Sequence, residues 1–166
     1  MLFRSRKIFI YAGNMGIAQG MMDLLLLAQV LLPRKDVGFL FIGRGTNMAV
    51  LRQEVKNRGL DNTVFLDEID AAQIPGLYAQ CHVGLIALDA RHKTHNIPGK
   101  FLSYLQSGLP VMAIVNDGND LVAIIQDHHV GRVTIDRNPE NLKMLAISLL
   151  DDISSEKYAL SLHCKT

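Results

Sequence analysis

The sequence predicts an α/β domain, a Rossmann-like doubly wound parallel sheet of about six strands with helices on both faces. Three observations carry this. Short apolar runs alternate with segments of helical spacing along most of the chain. Polar, glycine-bearing loops follow several of the apolar runs. Hydrophobic residues make up 49% of 166 residues, enough for one domain with a real core.

Lys7 to Ala12 reads as the first strand and ends in Gly13-Asn14-Met15-Gly16. Gly20 to Leu32 reads as a helix stopped by Pro33. Val37 to Ile42 is a second strand, closed by Gly43-Arg44-Gly45. Val50, Leu51 and Val55 give Met48 to Arg58 helical spacing, with Gly59 as its C-cap. Thr63 to Leu66 is a short strand, and Ala71 to Gln80 a broken helix with Pro75 near its first turn. Val83 to Leu88 is a buried strand. Pro98 opens the next helix, Gly108 and Pro110 close it, and Val111 to Val115 is the strand that begins at once. A helix from about Asn119 to Gln126, a strand from Val130 to Ile135, and helices over Pro139 to Asp151 and Ser155 to His163 complete the chain. No repeat, low-complexity segment or internal linker interrupts it, so residues 1–166 are expected to form a single domain.

Composition narrows the function. A formal charge of +1 supplies no basic field, so nucleic acid is not an expected partner. Cys81 and Cys164 lack ligand-like spacing, and Cys81 lies in an apolar run, as a reduced core thiol would. Met1 to Arg6 lacks the apolar core of a secretory signal. The longest apolar run, Leu24 to Leu32, is interrupted by Gln29 and is too short to span a bilayer. The expected location is the cytoplasm, with membrane contact at most peripheral.

In doubly wound sheets ligands bind at the carboxyl ends of the strands. Four loops reach that edge here: Gly13 to Gly20, Gly43 to Asn47, Asp67 to Asp70, and Asp89 to Gly99. The fourth holds Arg91, His92, Lys93 and His95, then runs into a helix start with free backbone N–H groups beside Lys100. That is an anion site in outline. The first loop is not the dinucleotide pattern G-x-G-x-x-G, and Gly43-Arg44-Gly45 stands where a ribose-binding acid is expected, which counts against NAD. No His, Cys or acid set has metal-ligand spacing. A phosphate-receiver domain would need acids after the first strand, where Gly13-Asn14 stands. Asn119 or Asp117 suits the N-cap of the following helix. His128-His129 reads as surface.

Pro98-x-Lys100, Tyr104 and Gly108-x-Pro110-Val111 resemble the donor-site segment of retaining glycosyltransferases with the GT-B fold, group 1 or family 4 type, that build bacterial surface polysaccharide and lipopolysaccharide. The resemblance runs from Ile8 to about Leu150 and covers only the C-terminal, nucleotide-sugar-binding half of such an enzyme. It implies that Gly13, Asn14, Gly16 and Gln19 cover the donor diphosphate. Gln19-Gly20 stands where the family carries a lysine before a glycine, so Lys100 and Arg44 are the remaining sources of positive charge. Arg44 and Gly45 match the family's turn after the second strand. Phe65-Leu66-Asp67-Glu68 matches the segment where the base rests. His95, Asn96, Ile97, Pro98, Gly99, Lys100 and Ser103 match the sugar-diphosphate segment. The family's two glutamates there fall at His95 and Ser103, so both carboxylates are replaced. The single hydroxyl of Ser103 can stand in for only part of a ribose contact.

The resemblance thus implies a glycosyltransferase domain that takes a nucleoside diphosphate sugar, a UDP-sugar in the first instance. The acceptor, a saccharide or a lipid-linked saccharide, belongs to an N-terminal domain absent from residues 1–166. No metal or resident cofactor is implied, and no side chain stands out as a catalytic nucleophile. Two other readings remain open at this point: a donor-binding subunit without transferase activity, favoured by the missing glutamates, and a nucleotide-sugar epimerase-like domain, for which no convincing carboxylate pair is visible.

Overall fold

The computed structural model describes residues 5–16, 19–91 and 97–155. Six parallel strands form one sheet: β1 Lys7–Asn14, β2 Val37–Arg44, β3 Thr63–Asp67, β4 Val83–Ala87, β5 Val111–Ile114 and β6 Gly131–Thr134. Their order is β3-β2-β1-β4-β5-β6. The helices are α1 Met21–Val30, α2 Met48–Asn57, α3 Ile74–Tyr78, α4 Gly99–Gln106, α5 Leu121–His128 and α6 Pro139–Ser154. α1, α2 and α6 cover one face, and α3, α4 and α5 cover the other. Two hydrophobic clusters, one on each face, make the core that the apolar runs imply. β4 and β5 are buried throughout, as strands covered on both sides must be, whereas the edge strands β3 and β6 are only part-buried.

Aromatic side chains follow the register on the α1 face. Phe9 lies opposite Phe39, and Tyr11 opposite Phe41, which in turn faces Phe65. The Phe9–Phe39 and Phe41–Phe65 ring centroids are 5.0 and 4.9 Å apart, within the range for favourable aromatic pairs. α1 is apolar nearly all round because it packs on the sheet and on α6 together.

Several boundaries differ from the sequence-based expectations, each for a local reason. β1 runs on through Gly13 and Asn14, and β2 through Gly43 and Arg44, because the ladder pairs Gly13 with Gly43 and Asn14 with Arg44. The turn therefore begins at Met15. α5 starts at Leu121, whose N–H donates to the Asn119 carboxamide at 2.9 Å, so Asn119 takes the capping role. Pro98 stands one residue before α4 in extended backbone, as its N-cap. A short 3-10 turn, Ala71–Gln73, breaks the helix that ends in α3. Apart from Ser155, the helix expected over Ser155 to His163 lies outside the described residues, as does Cys164. Cys81 is buried, and burial pushes its thiol up to about 12, as for an inert core cysteine. None of the helices among the described residues is long and apolar enough to cross a membrane.

The centre of the sheet is held from α4. The Tyr104 ring lies over Gly84 of β4, so close that a Cβ there would stand 2.4 Å from ring carbons. Its hydroxyl donates to the carbonyl of Leu85 at 2.9 Å and reaches that of Ile10 at 3.2 Å, spanning β4 and β1. Gly84→Ala should therefore destabilise the domain by about 1–3 kcal/mol, the usual effect of overpacking. In urea denaturation the added effect of Gly84→Ala should shrink when Tyr104 is already alanine; fully additive losses would show that the two positions do not compete for space.

Candidate functional site

The strand order reverses between β1 and β4. The chain leaves β1 toward α1 on one face and leaves β4 toward α4 on the other, which opens a crevice at their carboxyl ends. Lys100, in the first turn of α4, lies across that crevice. Its Nζ is 3.9 Å from the centre of the Tyr11 ring. Nζ and Cε would stand 3.4 and 3.7 Å from a Cβ placed on Gly13, so the end of the Lys100 side chain lies at ordinary contact distance from the Gly13 backbone. The Tyr11 hydroxyl donates to the Asn14 carbonyl at 2.5 Å, which fixes the ring beneath the ammonium.

Burial lowers the Lys100 pKa to about 8. No carboxylate among the described residues pairs with it. The ring face offsets part of the lost hydration. Among the described residues, the α4 N-terminus beside it has no side-chain cap, and its first turn holds no acid. A desolvated cation and uncapped amides thus face the same crevice, a combination suited to a phosphate.

The glycines build the walls. A Cβ on Gly43 would stand 1.8 Å from the Gly13 carbonyl oxygen, and one on Gly45 2.6 Å from the Met15 carbonyl. Met15 N–H donates to the Arg44 carbonyl at 2.8 Å. The loop after β1 therefore rests on the end of β2, backbone against backbone. Gly43 and Gly45 are explained by this contact without any ligand.

Two clefts flank the crevice. One, of about 200 Å³, is lined by Ala12, Gly13, Gly43, Glu68, Ile74 and Tyr78 among others. It is a largely apolar slot that starts where Lys100 ends. The other, of about 490 Å³, lies toward α1 and includes Gly16, Gly20, Asn47, Arg91 and Arg137.

The expected site residues are distributed as follows. Gly13 and Asn14 stand at the end of β1 beside Lys100. Gly16 lines the larger cleft, and the Asn14 and Gln19 side chains would each come within 3.1 Å of a Cβ placed on it. Gln19 Oε1 is buried with no hydrogen-bond partner among the described residues. Glu68 lines the smaller cleft and faces Arg44 at 3.5 Å across the surface. Asp67 is 96% exposed, pairs with Arg52, and lines neither cleft. Ile97, Pro98 and Gly99 lead into α4, with Ile97 exposed. The Ser103 hydroxyl turns back toward the Gly99 carbonyl at 3.5 Å on the exposed side of α4. His95 and Asn96 lie outside the described residues, as do His92 and Lys93. Among the described residues no cluster of His, Cys, Asp or Glu could hold a metal ion.

Sequence reasoning missed Ile74, Tyr78 and Arg137. Ile74 and Tyr78 lie four apart on a very short helix, too brief for periodicity to declare a face. Arg137 is brought to α1 across 114 residues of sequence, and nothing local signals that.

Comparisons with known proteins agree with this fold. The family model described as glycosyl transferases, group 1, matches residues 6–152. A Pseudomonas aeruginosa protein named "Probable glycosyltransferase WbjE" is 24% identical over 155 residues, which is 91% of this chain and 36% of that protein. The chain thus spans about a third of that relative's length. Among solved structures, the C-terminal domain of the group 1 glycosyltransferase LpcC from Francisella tularensis superposes with a TM-score of 0.67 at 23% identity, over 95% of this chain and 80% of that one. HepE from Anabaena, solved in complex with UDP, gives a TM-score of 0.72 at 17% identity, over 95% of this chain and 42% of that one. The chain belongs to the group 1 glycosyltransferase family, and its fold is that of a C-terminal GT-B domain.

Proposed function

We propose that this chain is the nucleotide-sugar-binding half of a retaining glycosyltransferase of surface-polysaccharide synthesis. It takes a nucleoside diphosphate sugar, with UDP as the nucleotide, and the acceptor is a saccharide or lipid-linked saccharide held by another domain. The observation that carries this is Lys100: a part-buried ammonium over Gly13 and Tyr11, beside a helix N-terminus with no side-chain cap, and with no carboxylate partner among the described residues. The slot between Gly43 and Tyr78 has the apolar walls that a nucleobase needs. HepE, whose structure holds UDP, shares the fold.

In the proposed reaction the bond between the sugar's anomeric carbon and the diphosphate breaks, and negative charge grows on the departing phosphate. Lys100 and the first amides of α4 stabilise that charge in a site screened from water. This makes catalysis electrostatic and assigns no side-chain nucleophile, metal or cofactor. Gly13, Asn14, Gly16 and Gln19 cover the diphosphate from the β1 side in this reading. His95 and Ser103 in place of two glutamates also suit a subunit that binds donor without transferring it, so transfer is tested separately from binding.

A charge-assisted contact to phosphate is worth about 1.5–3 kcal/mol, so Lys100→Ala should weaken UDP binding roughly tenfold to a hundredfold in calorimetry. Ser103→Ala should lose about 1 kcal/mol or less, the value of one neutral hydrogen bond. Unchanged affinity in Lys100→Ala removes the diphosphate role.

The lowered pKa sets a pH dependence. Below about 8 the Lys100 ammonium carries its proton and can donate to phosphate; above it the proton is lost. UDP affinity should fall as pH rises through about 8 and approach that of Lys100→Ala, whose own profile stays flat over the same range. A carbon-13 titration of the Lys100 side chain in the unliganded protein should show the same midpoint, and a midpoint at the ordinary lysine value contradicts the buried placement.

Placing donor and acceptor together can account for roughly 7–11 kcal/mol of a barrier. With the acceptor on another domain, residues 1–166 alone should bind UDP and transfer no sugar. Sustained turnover by this chain with purified UDP-sugar and saccharide, and no other protein, refutes the division of labour.

A further inference from the structure

We propose that Arg137 is a positioning residue for the donor site, fixing the gap between the loops that leave β1 and β4. The effect on donor binding rests on the nucleotide reading above; the coupling between the loops rests on geometry alone.

Arg137 stands in the loop between β6 and α6, with its side chain 23% exposed. Its Nε donates to Asp23 Oδ2 in the first turn of α1 at 2.9 Å. Its Nη2 donates to the Leu88 carbonyl, just past β4, at 2.9 Å, and to Asn116 Oδ1, just past β5, at 3.0 Å. Nη1 reaches the Ile135 carbonyl at 3.4 Å. Asn116 in turn donates from Nδ2 to the Asp89 carbonyl at 3.0 Å. One planar group therefore ties together the exits of β4, β5 and β6 and the start of α1.

The Leu88 carbonyl is the critical acceptor. A Cβ on Gly20 would stand 2.8 Å from its carbon and 2.9 Å from its oxygen. Gly20 is the N-cap of α1, in left-handed backbone. Leu88 thus sits between Gly20 and the Arg137 guanidinium. From there the chain turns through Asp89 and Arg91, whose side chains form a two-point ion pair, and continues toward α4 and Lys100. Withdrawing Arg137 removes the tie on the Leu88 carbonyl and leaves Asn116 without its guanidinium partner, so that Leu88 is held by its own N–H on the Ile114 carbonyl and the spacing to Gly20 loosens.

A guanidinium is needed because three acceptors at different angles are met from one plane. A lysine keeps the charge and loses the fork. This separates positioning from direct attraction to the diphosphate, since Nε and Nη2 are already committed to protein acceptors.

The test compares Arg137→Lys, Arg137→Met and Lys100→Ala with the parent chain, using UDP titration calorimetry and, in the unliganded protein, amide hydrogen exchange. Both Arg137 variants should weaken UDP binding by a similar factor, roughly tenfold, because each loses the fork. Exchange should quicken over Leu88 to Arg91 and Gly20 to Leu24 together, with β2 and β5 as protected as in the parent. Parent-like UDP affinity and exchange in Arg137→Lys overturn the proposal, and if Lys100→Ala loses UDP in the same series the nucleotide reading survives that failure. Binding kept in the lysine variant and lost in the methionine variant assigns Arg137 to charge attraction and overturns positioning. Faster exchange throughout the sheet makes Arg137 a general stability residue, which also overturns it. A parent chain that binds no UDP removes the nucleotide reading and the donor-site role, and the exchange pattern alone then judges the loop coupling.

Discussion

The contact on which the site depends is that of Tyr104 with the β1–β4 junction. The ladder between these two strands is short, pairing Phe9 with Val83 and Ile10 with Gly84. Tyr104 reinforces it from above, with its ring over Gly84 and its hydroxyl on carbonyls of both strands. Tyr78 packs against the same ring at 5.2 Å. Lys100 is one turn earlier on α4, so the residue that closes the sheet also aims the cation. A helix anchored elsewhere along β4 would carry Lys100 away from Gly13. Fold and site are joined here by helical spacing.

The same economy of space governs the β1 loop. Its backbone lies on that of β2 at Gly13, Gly43, Met15 and Gly45, with no side chains between. Such contacts leave little freedom for the loop to shift. Beneath it the row of Phe9, Tyr11, Phe39, Phe41 and Phe65 gives a stiff apolar floor. Tyr11 belongs both to that floor and to the Lys100 contact, which links core packing to the electrostatics of the crevice.

Much of this was legible in the sequence because the signals were local. Alternating apolar runs gave the strands and helices, and Pro98 with Gly108 bracketed α4 to within a residue. Gly13 and Lys100 were nominated from loop position and charge, and they do meet. What local reasoning could not supply was direction. Asp67 and Glu68 are neighbours, yet one faces solvent and the other a cleft, because successive residues at a strand end point to opposite sides. Tyr78 and Arg137 reach the crevice through contacts distant in sequence, and no motif surrounds either. Nothing local showed that Gly43 and Gly45 are required by the backbone of Gly13 and Met15, which leaves no room for a Cβ at either position.

The ammonium over Tyr11 has a consequence for selectivity among small ions. It has given up most of its water and received an aromatic face, with no carboxylate among the described residues to neutralise it. Such a group is an under-solvated cation at an opening to solvent, and any compact oxyanion present in quantity will be drawn to it. On the proposed reading, inorganic phosphate and sulfate would compete with the donor diphosphate for the same point, and apparent affinity would depend on the anions in solution as well as on the nucleotide.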